Sequence, residues 1–119
     1  MQMNSAERTV VDLVREIPYF EDVLLAHSFA PDVVLPHVFF SLVLEEVMAD
    51  FNSSANSFDR AALFAFLERC LAGRQEEVVE VVTTSFIDDL PWPGQEGEEI
   101  VDELPPLLAE EYRRSHSTG

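Results

Sequence analysis

The chain has 119 residues, 47% of them hydrophobic and nine of them Phe, which is enough apolar mass for one buried core. Its 23 Asp and Glu residues are opposed by only seven cations, all Arg, and the formal net charge is −16. Because binding to phosphate backbones and anionic lipids depends on Lys and Arg, the composition argues against nucleic acid and membranes as partners. A basic protein is the natural complement.

The N-terminal residues predict an amphipathic helix. Asn4 or Ser5 can cap it, and Glu7 stands three residues after Asn4, as in a capping box. Pro18 should end the helix. Its apolar face is predicted to consist of Val10, Leu13, Val14 and Ile17.

Two further helices are predicted before the first polar loop. A short one over residues 19–28 should close near Ala30 and Pro31. The next takes Asp32 as its N-cap candidate, because Pro36 then falls in the first turn, where backbone N–H groups have no helical partner. It should run to about Phe51 and direct inward the side chains of Val38, Phe39, Leu42, Val43, Val47 and Phe51.

The middle of the chain predicts the centre of the core and one ambiguous segment. Residues 58–71 form a helix that is apolar around most of its circumference, with Gly73 as the C′ residue. Residues 75–90 are rich in β-branched side chains, which suit a strand. The apolar residues nevertheless recur every fourth position, so a fifth amphipathic helix is predicted, with an inward face of Val78, Val82, Phe86 and Leu90.

The C-terminal third predicts a break and a last helical region. Residues 91–94, Pro-Trp-Pro-Gly, end the fifth helix, and helix resumes over about 97–114 with an interruption at Pro105 and Pro106. Its inward residues should be Ile100, Leu104, Leu107, Leu108 and Tyr112. The predicted fold is therefore all-α: a compact single-domain bundle of five to six helices over residues 1–114, with a frayed tail at 115–119.

Few residues suggest chemistry. His37, Ser41 and Glu45 share one helical ridge, but three groups along one exposed helix bring no oxyanion donors together, so a solvated polar stripe is predicted. The three His residues are widely separated, and the acidic stretch lacks the spacing of a calcium loop. We therefore expect no enzyme, no metal and no cofactor. The single cysteine, Cys70, and the lack of a leader or membrane span predict a cytoplasmic protein.

The charge pattern is the main functional signal. No cation occurs between Arg74 and Arg113, a stretch that holds 12 carboxylates and leaves them without local partners. Solvation alone accounts for such a face, as does adaptation to high salt or a GC-rich genome that replaces Lys by Arg. The binding hypothesis assigns partner contacts to Glu80, Asp88, Asp89, Trp92, Glu96, Glu98, Glu99 and Asp102.

Trp92 has two interpretations. As the single Trp of the chain, it is a candidate binding hot spot. As a loop aromatic, it is expected to fold back over the core between the last two helices. The two roles are compatible.

Residues 66–112 carry a resemblance. The phrases Phe66-Leu67-Glu68 with Gly73, Ser85-Phe86-Ile87-Asp88-Asp89-Leu90 and Leu104-Pro105-Pro106-Leu107-Leu108 resemble a family of small all-α bacterial proteins that is similar to the immunity proteins of polymorphic toxin systems. The last phrase has Pro where the family pattern has Gly. The resemblance implies an all-α cytosolic protein encoded beside a toxin, and it carries over no site residue.

Charge and resemblance together predict an acidic protein-interaction domain, an immunity-type inhibitor that occludes a basic cleft of its toxin. An acidic helical surface would mimic an array of phosphates and steer association. The alternative is a helical adaptor or regulatory protein whose acidity reflects the proteome of its host.

Overall fold

The computed structural model describes residues 4–26 and 35–116 and forms an all-helical bundle in those ranges, which confirms the predicted fold class. Two short 3-10 helices, Pro18–Phe20 and Glu98–Glu103, and a π-helical turn, Thr83–Ile87, complete the described helical structure. Within the described part of the chain, no helix combines the length and apolarity needed to cross a bilayer. The α-helices are α1 Ser5–Glu16, α2 Glu21–Ala26, α3 Pro36–Ser53, α4 Arg60–Ala72, α5 Glu76–Val82 and α6 Pro106–Ser115.

The capping box of α1 forms as predicted. The Glu7 N–H donates to Asn4 Oδ1 at 2.8 Å, and the Asn4 N–H donates to Glu7 Oε1 at 2.9 Å. Two of the backbone N–H groups at this end of the helix are therefore satisfied. The helix ends at Glu16, just before Pro18, and buries Val10, Leu13 and the following Ile17.

The second predicted helix is divided in two. The 3-10 helix Pro18–Phe20 brings Tyr19 and Phe20 against Phe58, with ring centroids 4.9 Å apart in each pair. Helix α2 then covers six residues. The predicted end near Ala30 and Pro31 lies outside the described residues.

Helix α3 starts later than predicted. Leu35 is its N-cap and Pro36 is its first residue; the predicted N-cap, Asp32, lies outside the described residues. Prediction of Val38 as an inward residue is wrong, because its side chain is 44% exposed. The helical period instead gives the inward face to residues spaced three and four apart: Phe40, Val43, Leu44 and Val47.

Helix α4 lies in the core, as its composition predicts. Phe64 is almost fully buried and meets Phe86 edge to face, with ring centroids 6.4 Å apart. The predicted C′ role of Gly73 is wrong: this residue is a right-handed C-cap, and the left-handed conformation falls on Arg74, with φ of 55°. The turn is thus displaced by one residue towards the C-terminus.

The segment after α4 is helical, which confirms the choice of helix over strand. All four residues of the predicted inward face, Val78, Val82, Phe86 and Leu90, are buried. The geometry changes at Thr83, where a π-helical turn begins and the Asp88 N–H donates to the Thr83 carbonyl at 2.9 Å. One wider turn therefore carries the apolar face past the end of α5.

The last helical region forms two elements separated by the predicted proline interruption. Ile100, Leu108 and Tyr112 are buried as predicted, but Leu107 is 37% exposed, so its inward assignment is wrong. Helix α6 includes Ser115, and His116 is 7% exposed, so the folded region extends two residues into the predicted tail. The His116 ring makes this possible because both of its nitrogens lie near backbone carbonyls, those of Leu90 and Tyr112.

The N-terminus of α6 is capped from another helix. Its own N-cap, Pro105, has no side-chain acceptor, and Pro106 has no N–H. The carboxylate of Glu68 on α4 accepts from the Leu107 N–H at 2.9 Å and from the Leu108 N–H at 3.0 Å. A negative charge is favourable at this end of a helix, and both exposed donors are satisfied.

We predict that Glu68→Ala lowers the free energy of unfolding by about 1–3 kcal/mol, because it removes two hydrogen bonds to a charged acceptor. Glu68→Gln keeps one acceptor oxygen and should lose less. The control is Glu45→Ala, at an exposed position on α3. Urea unfolding measures all three variants, and equal midpoints for Glu68→Ala and Glu45→Ala would contradict the capping role.

Candidate protein-interaction surface

The connection from α5 to the 3-10 helix Glu98–Glu103 is a fixed turn. The Trp92 N–H donates to Gln95 Oε1 at 2.8 Å, and the Gln95 N–H donates to the Trp92 carbonyl at 2.9 Å. Gly97 has a φ of 85°, and a Cβ there would come within 2.7 Å of Met48 Cε on α3. The positive φ favours glycine at this position, and the lack of a side chain lets the acidic turn lie close to α3.

Trp92 is both packed and accessible. Its ring centroid lies 4.6 Å from that of His116, which in turn stacks on Tyr112 at 4.0 Å. The Tyr112 hydroxyl donates to the Pro91 carbonyl beside it. The indole nevertheless remains 39% exposed. Trp92 thus folds back on the end of α6 and also presents an aromatic surface to solvent, and its role as a binding hot spot stays a prediction.

The predicted binding residues fall into two groups. Glu80 lies on α5, in a groove that α5 shares with α6. The other seven follow α5 in the chain and are exposed; we call them the acidic face: Asp88, Asp89, Trp92, Glu96, Glu98, Glu99 and Asp102. Glu98, Glu99 and Asp102 line one shallow pocket of about 320 Å³ beside Tyr112. Burial, and then the charge of Glu98, raises the pKa of Tyr112.

Local pairing of the 12 carboxylates is more extensive than predicted. Glu110 and Glu111 pair with Arg114 one turn later on α6, at 3.5 and 2.7 Å. Glu103 pairs with Arg60 at 3.0 Å. The prediction that none pairs locally is therefore wrong for the α6 carboxylates, because the helical spacing places Arg114 on their side. In the described chain, none of the six carboxylates of the acidic face forms an ion pair.

Arg60 connects the end of the acidic 3-10 helix to the core through two ion pairs. Its Nη1 lies 2.7 Å from Asp50 Oδ2 on α3, and its Nε lies 3.0 Å from Glu103 Oε1. The Asp50 side chain is only 2% exposed, and its other oxygen accepts from the Ser57 N–H at 2.6 Å. This cluster was not predicted from the sequence, although a carboxylate on the otherwise apolar face of α3 was a signal for it.

The pKa of Asp50 lies below its ordinary value. The main cause is the hydrogen bond from the Ser57 backbone, with further contributions from Arg60, and burial acts in the opposite direction. The charged form of Asp50 is therefore the one that the fold stabilises.

His37 contacts the π-helical turn rather than Ser41, its neighbour on the predicted polar ridge of α3. Its Nδ1 lies 2.6 Å from the hydroxyl of Ser85 in the π-helical turn and 3.4 Å from that of Thr84. Ser41 is half-buried, whereas His37 and Glu45 are exposed. Ser85 is only 5% exposed, so its hydroxyl is not accessible to a substrate as a nucleophile. The contact between His37 and Ser85 instead joins α3 to the π-helical turn.

The π-helical turn also holds an unsatisfied group. Thr83 Oγ1 is buried and has no hydrogen-bond partner among the described residues. Cys70, on α4, is a free thiol whose pKa burial raises to about 11, which makes it a poor nucleophile. Within the described ranges, no three His, Cys, Asp or Glu side chains are grouped to hold a metal ion.

Comparison with known proteins gives one match. Residues 10–118 match a domain of unknown function, DUF7674. Neither the curated proteins nor the solved structures contain a match to the chain.

We predict that Asp50→Asn destabilises the protein at neutral pH by about 1–3 kcal/mol, because charge-assisted hydrogen bonds are weakened. Since the folded pKa of Asp50 is lowered, its charged form adds stability above the ordinary pKa, and this is lost as pH falls through the lowered value. The difference between Asp50→Asn and wild type should therefore shrink on acidification.

Chemical denaturation between neutral and strongly acidic pH measures that difference. Asp22→Asn, at an exposed position on α2, removes the same charge and controls for net charge. A difference between Asp50→Asn and wild type that stays constant with pH would contradict the assigned role of the Asp50 carboxylate.

Proposed function

The chain belongs to the DUF7674 family, and we propose that it is an acidic protein-interaction domain that binds a basic partner through its acidic face. In the specific form of the proposal, the domain is an immunity-type inhibitor that covers the cationic cleft of a toxin. Its mechanism is occlusion: the domain occupies the cleft and catalyses nothing.

The observation that carries the proposal is that the carboxylates of the acidic face are exposed and form no ion pair in the described chain. The six carboxylates and the partly exposed Trp92 fall within residues 88–102, and no ion pair neutralises any of these carboxylates within the described chain. Like charges on one surface repel each other and lower stability, especially in dilute salt. Such a surface gains from a partner with Arg and Lys, which it attracts over distance and binds with complementary charge.

Trp92 supports a binding role because it is held in place before any partner arrives. His116 and Tyr112 stack beneath it, and its backbone is bonded to Gln95. An aromatic that is already ordered loses little conformational freedom on binding. Trp in such a position is a typical interface hot spot.

The toxin part of the proposal is supported by the resemblance of residues 66–112. In the structure, most residues of the shared phrases form the frame beneath the acidic face, and two of them, Asp88 and Asp89, belong to the face itself. Phe66 and Leu67 are buried, Glu68 caps α6, and Phe86 and Ile87 are buried in the π-helical turn. A family built on this frame can present different outer residues to different partners.

One observation favours the alternative of a helical adaptor with an acidic host proteome. Exposed carboxylates also occur away from the acidic face, among them Glu21 and Asp22 on α2 and Glu45 on α3. Uniform acidity of this kind serves solubility. These residues provide the matched control for the experiment below.

The test is capture of partners from lysate of the native cell. We predict that the wild-type domain retains a basic protein and that neutralising four charges of the acidic face abolishes its retention. The face variant combines Asp88→Asn, Asp89→Asn, Glu98→Gln and Glu99→Gln. The control variant removes the same charge elsewhere through Asp12→Asn, Glu21→Gln, Asp22→Asn and Glu45→Gln, and it should capture the partner as wild type does.

Both variants should fold, because removing like charges leaves stability unchanged or raises it slightly, which circular dichroism and thermal melting measure. Equal loss of the partner in both variants would show that only net charge matters and would favour the adaptor alternative. Retention by the face variant at the wild-type level would refute binding through the acidic face.

A further inference from the structure

A second surface lies on the other side of α6. Residues of α4, α5 and α6 line an open groove with a volume of about 940 Å³. Tyr112 of α6 borders the pocket of the acidic face, whereas Leu107, Glu110 and Arg114 of the same helix line the groove. We call this second surface the α5–α6 groove.

The groove contains apolar side chains that the bundle leaves uncovered. Leu107 is 37% exposed and Val79 is half-buried, and both line the groove together with the buried Leu71. The position of Leu107 is fixed, because its own N–H is bonded to the Glu68 carboxylate. The chain therefore holds a large aliphatic side chain at a solvent-facing position through a specific tertiary contact.

The charged lining of the groove is predominantly acidic. It holds Glu76, Glu80, Glu110 and Glu111 against Arg74 and Arg114. Arg114 is already paired with both α6 carboxylates, at 3.5 and 2.7 Å. Glu76 and Glu80, one turn apart on α5, form no ion pair with a described cation, so this wall of the groove carries negative charge that an occupant can neutralise.

We propose that the α5–α6 groove binds an amphipathic, cationic helix of a partner protein. Aliphatic side chains of that helix pack on Leu107 and Val79, and its flanking Lys or Arg residues face Glu76 and Glu80. A helix fits better than a strand because the groove is walled by helices and the described chain has no strand edge to extend. A cationic helix fits better than an acidic one because the protein has a net charge of −16.

This groove is separate from the acidic face, so the two proposals fail independently. Binding at the acidic face requires only the carboxylates and the indole of Trp92, whereas binding in the groove requires an apolar stripe on the partner helix. A partner that engages both would lie across α6.

The probe is a fluorescein-labelled, designed 18-residue peptide of Leu and Lys with all Leu residues on one helical face. A second peptide of the same composition has its Leu positions shuffled, so that charge is unchanged and the apolar stripe is lost. Fluorescence anisotropy measures both affinities at two salt concentrations. We expect the facial peptide to bind more tightly than the shuffled one, and its advantage should persist at high salt because packing is not screened.

Leu107→Gln is the central variant, because it keeps side-chain size and makes the exposed aliphatic group polar. We expect it to weaken binding of the facial peptide by roughly tenfold, the order expected from losing burial of part of a Leu side chain. Leu25→Gln is the matched control, since Leu25 is 64% exposed on α2, which contributes no residue to the groove. Leu25→Gln should bind the facial peptide as wild type does. In the wild-type protein, binding of the facial peptide should change the amide chemical shifts of Val79, Thr83 and Leu107.

Three results would overturn the proposal. One is equal affinity of wild type and Leu107→Gln for the facial peptide. Another is loss of peptide binding in the variant with the neutralised acidic face while Leu107→Gln still binds, which would place the peptide on that face. The third is a wild-type dimer in sedimentation velocity that Leu107→Gln dissociates, which would make a second copy of the chain the occupant.

Discussion

The contact between Glu68 and the first turn of α6 determines where both candidate surfaces lie. The prolines at 105 and 106 start the helix at a defined residue but supply neither a side-chain cap nor, at Pro106, an N–H. The Glu68 carboxylate satisfies the next two donors from α4, and α6 is thereby fixed to the core. Tyr112 on one side of α6 then supports His116 and Trp92, and Leu107 on the other side opens into the groove.

A scarcity of cations shapes the rest of the molecule. The ion pairs between described residues join elements or stabilise one helix end: Arg60 connects α3 and α4 to the acidic 3-10 helix, Arg69 connects α4 to α1, and Arg114 pairs within α6. None of these pairs involves a carboxylate of the acidic face. Its carboxylates depend on water and salt for screening, which is why a basic partner is the complement that the charge distribution favours.

The sequence predicted what depends on local chemistry. The capping box of Asn4 and Glu7 needs only two side chains three residues apart, and the four-residue spacing of Val78, Val82, Phe86 and Leu90 outweighed the β-branched composition. The aromatic environment of Trp92 was foreseen in outline, because an aromatic in a proline-rich turn next to a terminal helix has core to cover. The exposure of the acidic residues followed from their charge.

Contacts between segments that are distant in the chain could not be predicted from the sequence. Nothing local to Glu68 or to Leu107 shows that Glu68 caps the helix of Leu107. Helix α6 buries Leu108 and Tyr112, four residues apart, and this choice of face leaves Leu107 exposed. The cluster of Asp50, Ser57 and Arg60 likewise depends on how α3 and α4 meet. His116 was assigned to a frayed tail because a polar residue near a chain end usually is solvated, whereas here its ring lies between Tyr112 and Trp92.

The central claim is that the carboxylates of the acidic face are binding charge, and the association rate with the captured partner tests it most directly. Stopped-flow measurements across a range of ionic strength compare wild type with the variant neutralised at Asp88, Asp89, Glu98 and Glu99. We expect the association rate of wild type to be fast and to fall steeply with salt, and that of the variant to be slower and less dependent on salt, so that the two rates converge at high salt. Identical rates and salt dependences for the two proteins would contradict the central claim.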